Sequence, residues 1–245
     1  MNLGRKEETK QRKKRPLFGD AISSTFPLRF QDVSDIRQVP DHQEVFVDPA
    51  RDESLIFELV DFKNDVGDNG SASRFLQDLA VGQYAEGSVI IEQSGVIEVP
   101  GLCYRNVPAI VTTAVGQMVL EIFSLFHLLV LDCIVESEHE DKLKAYYCIQ
   151  LKMAISKGRQ GREAQNIVRV YLANLRLKEV RTDVLITAYE PILINPLSES
   201  AGMVGAGFSI PAEQSGCIPM GEVFKLAVSS FKVNEWSLFG ASPSA

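Results

Sequence analysis

Carboxylates are the side chains whose density in this sequence could do chemistry. Between Gln31 and Asp61 lie Asp32, Asp35, Asp41, Glu44, Asp48, Asp52, Glu53, Glu58 and Asp61, offset only by Arg37 and Arg51. Calcium binding would need an EF-hand-like spacing with a glycine at the sharp turn, and no glycine sits among these acids. Two readings remain. One is a solvated acidic face with no partner. The other is a docking surface for a basic protein, where charge speeds encounter and sets register.

Covalent and cofactor chemistry find little support. There is no GxSxG elbow and no GxxxxGKS/T loop. The glycines of Gly202–Gly207 lack the spacing and following helix of a dinucleotide fingerprint and read as a loop. His42 stands beside Asp41, but no serine nucleophile is marked. Cys103, Cys133, Cys148 and Cys217 form no CxxC pair, and with three histidines no zinc spacing arises. The expectation is a non-enzyme with no cofactor and no metal, its cysteines reduced.

Charge is unevenly placed. Residues 1–16 hold seven basic residues against Glu7 and Glu8, a local charge of +5 within a net charge of −7. The body therefore carries −12, which repels phosphates and disfavours nucleic acid as a partner. Residues 1–16 read as a disordered basic leader. Its Lys10–Arg15 cluster is of the kind read by import receptors, or else simply a solvated tail. No apolar h-region follows, so no secretory signal is expected.

The elements that must position the acids are mostly strands. Ala21–Ser24 reads as a short strand ended by Pro27, Asp32–Ile36 as a short capped helix, Gln43–Val47 as a half-buried strand and Ser54–Val60 as a deeper one. Ser71 is placed to cap a helix with Phe75, Leu76, Leu79 and Ala80 on one face. Ser88–Glu92 and Gly95–Val99 suggest further strands. Val168–Leu177 alternates and pairs with Val184–Tyr189 across the Glu179–Asp183 turn. Glu222–Phe231 reads as an amphipathic helix entered after Pro219. Strands in hairpins plus a few helices predict an α+β domain with an antiparallel sheet.

Val119–Val135 is far more apolar than its surroundings, yet short for a membrane span and interrupted by Glu121 and Asp132, so no membrane association is expected. Residues 119–153 read as an insertion, because Val111–Met118 looks helical and would continue smoothly into Ala154.

Leu17-Phe-Gly-Asp-Ala-Ile-Ser23, Val39-Pro-Asp-His-Gln-Glu-Val-Phe-Val47 and Arg51-Asp-Glu-Ser54 resemble the Ran guanine nucleotide release factor family. So do Thr182-Asp-Val-Leu-Ile-Thr187 and the closing Trp236-Ser-Leu-Phe239. The resemblance covers most of residues 17–118 and 154–240. It implies a fold similar to the photosystem protein PsbP, an antiparallel sheet with helices on both faces. The expected organisation is a single domain over 17–240 with the insertion at 119–153 and a disordered tail at 241–245. It further implies binding to a Ran-type small GTPase, release of guanine nucleotide, support of nuclear protein import, and a nuclear and cytoplasmic location, with a monomer expected. The family's acidic pair falls on Asp41 and Glu44; Asp48, Asp52 and Glu53 are taken as the rest of the Ran-binding surface. Two departures stand out: Asp20 replaces the family's usual glycine, and residues 119–153 have no counterpart. The alternative, a PsbP-like assembly protein of a photosynthetic complex, needs a serine- and arginine-rich transit peptide poor in acids. Residues 1–16 contain no serine and hold Glu7 and Glu8.

Overall fold

Long runs of β-branched and aromatic residues dictate the architecture. The computed structural model describes residues 11–34, 38–82, 89–121 and 165–240. The elements are β1 (Arg12–Leu17), β2 (Ile22–Pro27), β3 (Gln31–Asp32), β4 (Gln43–Asp48), β5 (Glu53–Asp61), α1 (Ser71–Gly82) and β6 (Ile90–Ile97). They continue as β7 (Cys103–Tyr104), β8 (Val107–Pro108), β9 (Ile110–Glu121), β10 (Gln165–Leu177), β11 (Thr182–Ile194), α2 (Glu199–Val204), β12 (Gly207–Phe208), α3 (Met220–Ser229) and β13 (Lys232–Val233). The main antiparallel sheet runs β3-β4-β5-β11-β10-β9-β6, with β12 on β11; a smaller sheet runs β1-β2-β13. This is the expected α+β class.

Period-two alternation in β10 and β11 sorts side chains onto two buried faces. Ala173, Leu175, Ile186 and Ala188 join Phe46 and Phe57 against the small sheet and α3, where Phe26, Val223 and Phe224 lie. Val168, Val170, Leu172 and Leu185 face α1, meeting Ala72, Phe75, Leu76 and Ala80. Phe26 packs edge-on against Phe46 at 4.8 Å between ring centres, a preferred aromatic geometry. Ser24 Oγ donates to Ala227 O, tying the small sheet to α3.

Several expectations are corrected. Val111–Met118 is not helical; it lies inside β9, paired with both β10 and β6. Ile110, Val111, Thr112, Thr113 and Val115 are β-branched and favour the strand. Gly116 is required there: a Cβ would meet Ile90 O at 2.8 Å, beside the irregularity in β6 between Ile91 and Gln93. The insertion's first three residues belong to the sheet as well. Val119, Leu120 and Glu121 pair with Ile167, Asn166 and Gln165, and Leu120 is buried. The rest of the expected insertion lies outside the described residues.

The basic leader is corrected at its end: residues 12–16 lie in β1, paired with β2. The strand forms because Arg15 is not free. Its guanidinium donates to Phe30 O at 2.7 Å and lies over the Phe26 and Phe46 rings, so the charge is satisfied where the stem is buried. That takes Arg15 out of the basic cluster open to a receptor, leaving Arg12, Lys13 and Lys14 exposed. Asp32, expected to open a helix, ends β3, and its carboxylate accepts from Ser34 N at 2.8 Å; residues 35–37 lie outside the described residues. Met203 and Val204, expected in a loop, close α2. The two strands expected at Ser88–Glu92 and Gly95–Val99 are replaced by one, β6, over Ile90–Ile97. Residues 1–10 and 241–245 lie outside the described residues.

Candidate docking surface

The acidic residues divide between the two ends of the β4–β5 hairpin. Glu44 and Asp48 are four residues apart on one strand, which separates them by about 13 Å. Asp48, Asp52 and Glu53 flank the hairpin loop, while Asp41 lies in the turn that enters β4. The five expected site residues therefore do not make one patch.

At the loop end all three acids are buried, and Asp48 and Glu53 are already paired. Arg29 reaches both Asp48 and Glu53, the latter at 2.5 Å, and Arg51 Nε donates to Glu53 at 2.7 Å. Asp48 also accepts from Ala50 N at 3.0 Å. Burial pushes the Glu53 carboxyl upward, and Arg29 and Arg51 pull against that. Arg51 further donates to Ile210 O and Ser215 Oγ. These carboxylates hold strands together and present no free charge to a partner.

Asp52 is buried in a left-handed conformation (φ 52°), and burial raises its carboxyl to about 6, against a smaller lowering by Ser200. A carboxyl whose folded value exceeds its unfolded one destabilises the fold at pH above the folded value. That destabilisation fades as pH falls through about 6 toward the ordinary range. Asp52→Asn, a residue that also accepts left-handed backbone, is thus expected to gain about 2–3 kcal/mol at pH 8. Thermal melts of both proteins should converge as pH approaches 4; a gap that persists there would assign the gain to something other than ionisation.

The other end differs. Asp41 is exposed in a turn closed by Gln43 N donating to Pro40 O at 2.9 Å. Glu44 is half-buried on the strand face that also carries Phe46, so it looks toward the small sheet. Its Oε1 accepts from Phe18 N at 2.6 Å. Burial raises the Glu44 carboxyl, the Phe18 amide lowers it, and nearby Asp32 raises it again. Phe18, Gly19 and Asp20 form the β1–β2 turn, all with positive φ (49°, 62° and 72°). Asp20 thus adopts the conformation in which the expected glycine would be freest, and Asp is one of the few side chains that tolerates it. Gly19 and Asp20 are exposed. Sequence reading passed over this turn as a site; the Leu17-Phe-Gly-Asp string was its only signal.

A second feature that sequence reading missed is apolar. Leu197, Met203, Phe208 and Ile210 are exposed within one stretch of chain, Phe208 at 81%. Such residues scatter singly on most surfaces, and four in fourteen positions is denser than usual. Among the described residues, no group of His, Cys, Asp and Glu is placed to hold a metal ion, and no helix is long and apolar enough to cross a membrane.

Comparison with known proteins adds the following. A family model described as Ran-interacting Mog1 protein matches residues 15–191. The Ran guanine nucleotide release factor of Danio rerio is 31% identical over 187 residues, covering 76% of this chain and 82% of the relative. The probable ran guanine nucleotide release factor of Dictyostelium discoideum is 27% identical, covering 92% of this chain and 95% of the relative. Among solved structures, the Saccharomyces cerevisiae Ran-binding protein Mog1p has a TM-score of 0.52 at 18% identity, over 94% of this chain and 99% of that one, a likeness of fold.

Proposed function

The chain belongs to the Ran-interacting Mog1 protein family, and from that premise we propose that it binds a Ran-type GTPase, promotes guanine nucleotide release and supports nuclear protein import. The observation that carries the reading is the family match across residues 15–191, with a named release factor 31% identical over most of both chains. It favours this reading over the photosynthetic alternative. The mechanism is one of differential binding: contacts stronger to the nucleotide-free GTPase than to the loaded form shift the equilibrium toward release, and no bond is made or broken in this chain. We place docking at the Asp41 end of β4, because Asp48 and Glu53 are consumed by Arg29 and Arg51 and Asp52 is buried. The protein acts as a monomer, in nucleus and cytoplasm.

The test is release of a fluorescent guanine nucleotide from loaded Ran. The wild-type chain should accelerate release. Asp41→Lys should weaken binding about tenfold or more, because a like charge then faces a basic surface, while the melting temperature stays put. The on-rate should fall as salt rises, since screening confines the field to roughly 8 Å at physiological ionic strength. No acceleration by the wild-type chain would overturn the function. Unchanged affinity of Asp41→Lys would move the docking site elsewhere.

A further inference from the structure

The resemblance sets Asp41 and Glu44 side by side as a binding pair, but their environments are unlike. Asp41 is open to solvent. Glu44 is half-buried, and one carboxylate oxygen is taken up by the Phe18 amide. We propose that Glu44 is a positioning residue, which acts on the docking surface by holding the Phe18–Gly19–Asp20 turn, so that the carboxylates offered to the basic partner are those of Asp20 and Asp41. The inference rests on the placement of docking at this end of β4.

The turn needs holding. Three successive residues adopt left-handed backbone, and two of them, Phe18 and Asp20, carry side chains. Such a conformation is costly for a bulky residue and persists where its surroundings over-determine it. Here they do. Leu17 and Ile22 anchor either side in the core at 1% and 0% exposure. Ala21 N donates back to Phe18 O at 3.3 Å. Asn234 Nδ2 donates to Asp20 O at 3.0 Å, and the Asn234 and Glu235 amides donate to Ala21 O at 2.8 and 3.0 Å. Those bonds fix the far limb. The near limb is fixed by Glu44 alone among the side-chain contacts the described residues make to Phe18 N, at 2.6 Å, a charge-assisted bond. Remove the acceptor and the Phe18 amide loses its partner. The turn then samples other conformations, and the exposed Asp20 no longer has a fixed place two residues from the Phe18–Glu44 contact. A preorganised carboxylate binds better than a wandering one, because less ordering remains for the encounter.

The roles separate by substitution. Glu44→Gln keeps an oxygen acceptor for Phe18 N and discards the charge; Glu44→Ala discards both. Ran affinity is measured for these two, for Asp20→Asn and for Asp41→Asn, together with hydrogen exchange at the Phe18 amide and a thermal melt for each protein. The expected pattern is Glu44→Gln within about twofold of wild type, and Glu44→Ala, Asp20→Asn and Asp41→Asn each weakened about fivefold or more. Phe18 amide exchange should speed up in Glu44→Ala and stay slow in Glu44→Gln. If Glu44→Gln binds as poorly as Glu44→Ala, Glu44 meets the partner by its charge and the inference is overturned. Wild-type binding by Asp20→Asn, which leaves the Glu44–Phe18 bond untouched, overturns it too, and that variant decides the matter should Glu44→Ala not fold. If Asp41→Asn and all Glu44 variants bind like wild type, it is the docking site that has been misplaced.

Discussion

Arg29→Met is expected to lower the free energy of unfolding by about 3–5 kcal/mol at pH 7, because it removes the counterion that two buried carboxylates share. Asp48 and Glu53 are 4% and 1% exposed, and Arg29 is bonded to both. The guanidinium also donates to Ile218 O at 3.3 Å, just ahead of α3, and lies over the Phe30 ring at 4.5 Å. It thus ties the β4–β5 hairpin to the segment leading into α3. Once it is gone, Glu53 keeps Arg51 and Asp48 keeps the Ala50 amide. One cation then serves two buried carboxylates, and Asp48 is left without a counterion. Methionine fills the stem volume, so the loss measures charge and not a cavity. Two controls sharpen the reading. Arg29→Lys keeps the charge but lacks the fork that serves two carboxylates at once, and should fall between. Adding Asp48→Asn and Glu53→Gln to the Arg29→Met background should recover much of the loss. Denaturant unfolding of the series reports all of this; recovery would fail if Arg29 mattered chiefly through Phe30.

That buried cluster shows where sequence reading ran out. Acid density between residues 31 and 61 is plain in the sequence, and it leaves a solvated face and a docking face both open. Pairing was not visible, since Arg29 lies 19 residues from Asp48 along the chain and outside the acidic window. Net charge along a segment says nothing about which charges are already neutralised in space. The strands told a different story. β4, β5 and the β10–β11 hairpin were legible because each carries its own local pattern of alternation and turn residues. α3 was legible from helical spacing after Pro219. β9 was not: its buried face carries Thr112, Ala114, Gly116, Met118 and Leu120 and its half-buried face Thr113, Val115, Gln117 and Val119, so burial alternates while residue type does not. Its partner β10 begins only at Gln165, beyond the apolar run, so no nearby hairpin signal betrayed it. β1 hid behind its charges: a run of arginines and lysines looks like a solvated tail until Arg15 is seen over Phe26 and Phe46. The candidate site was half legible. The string around Asp41 and Glu44 marked the right neighbourhood, whereas the turn that Glu44 holds lies 26 residues away in sequence.

At the opposite end of β5, Asp183→Ala is expected to destabilise the protein about as much as Arg29→Met, again by about 3–5 kcal/mol. Asp183 is fully buried and is the second residue of β11. Its Oδ1 accepts from Arg176 Nε at 3.1 Å and Asn174 Nδ2 at 3.2 Å, and its Oδ2 accepts from Lys63 N at 3.0 Å. Asn174 in turn accepts from Ser71 Oγ at 2.7 Å, and Thr112 Oγ1 accepts from Ala72 N at 3.0 Å. Ser71 was expected to cap α1; instead its hydroxyl joins this network, and Thr112 on β9 serves a free amide of the helix N-terminus. Arg176, 1% exposed, stacks on Phe62 at 4.1 Å and donates to the Lys63 and Val66 carbonyls, closing the loop between β5 and α1. Without Asp183 that guanidinium keeps Asp68 at 3.3 Å as a carboxylate partner, and Asp68 is a third exposed and shared with Lys178. The cost therefore falls on a buried charge left short of its counterion, together with an unpartnered Asn174 donor and Lys63 amide. Because the network joins the loop after β5 to β9, β10, β11 and α1, its loss should show as lower global stability and faster hydrogen exchange at Lys63 and Ala72. Pairing the change with Arg176→Met separates ionic from steric causes. If the charge is what matters, the double variant is more stable than Asp183→Ala alone; if it is equally or more damaged, Arg176 contributes through its bonds to the loop carbonyls and the ionic account fails.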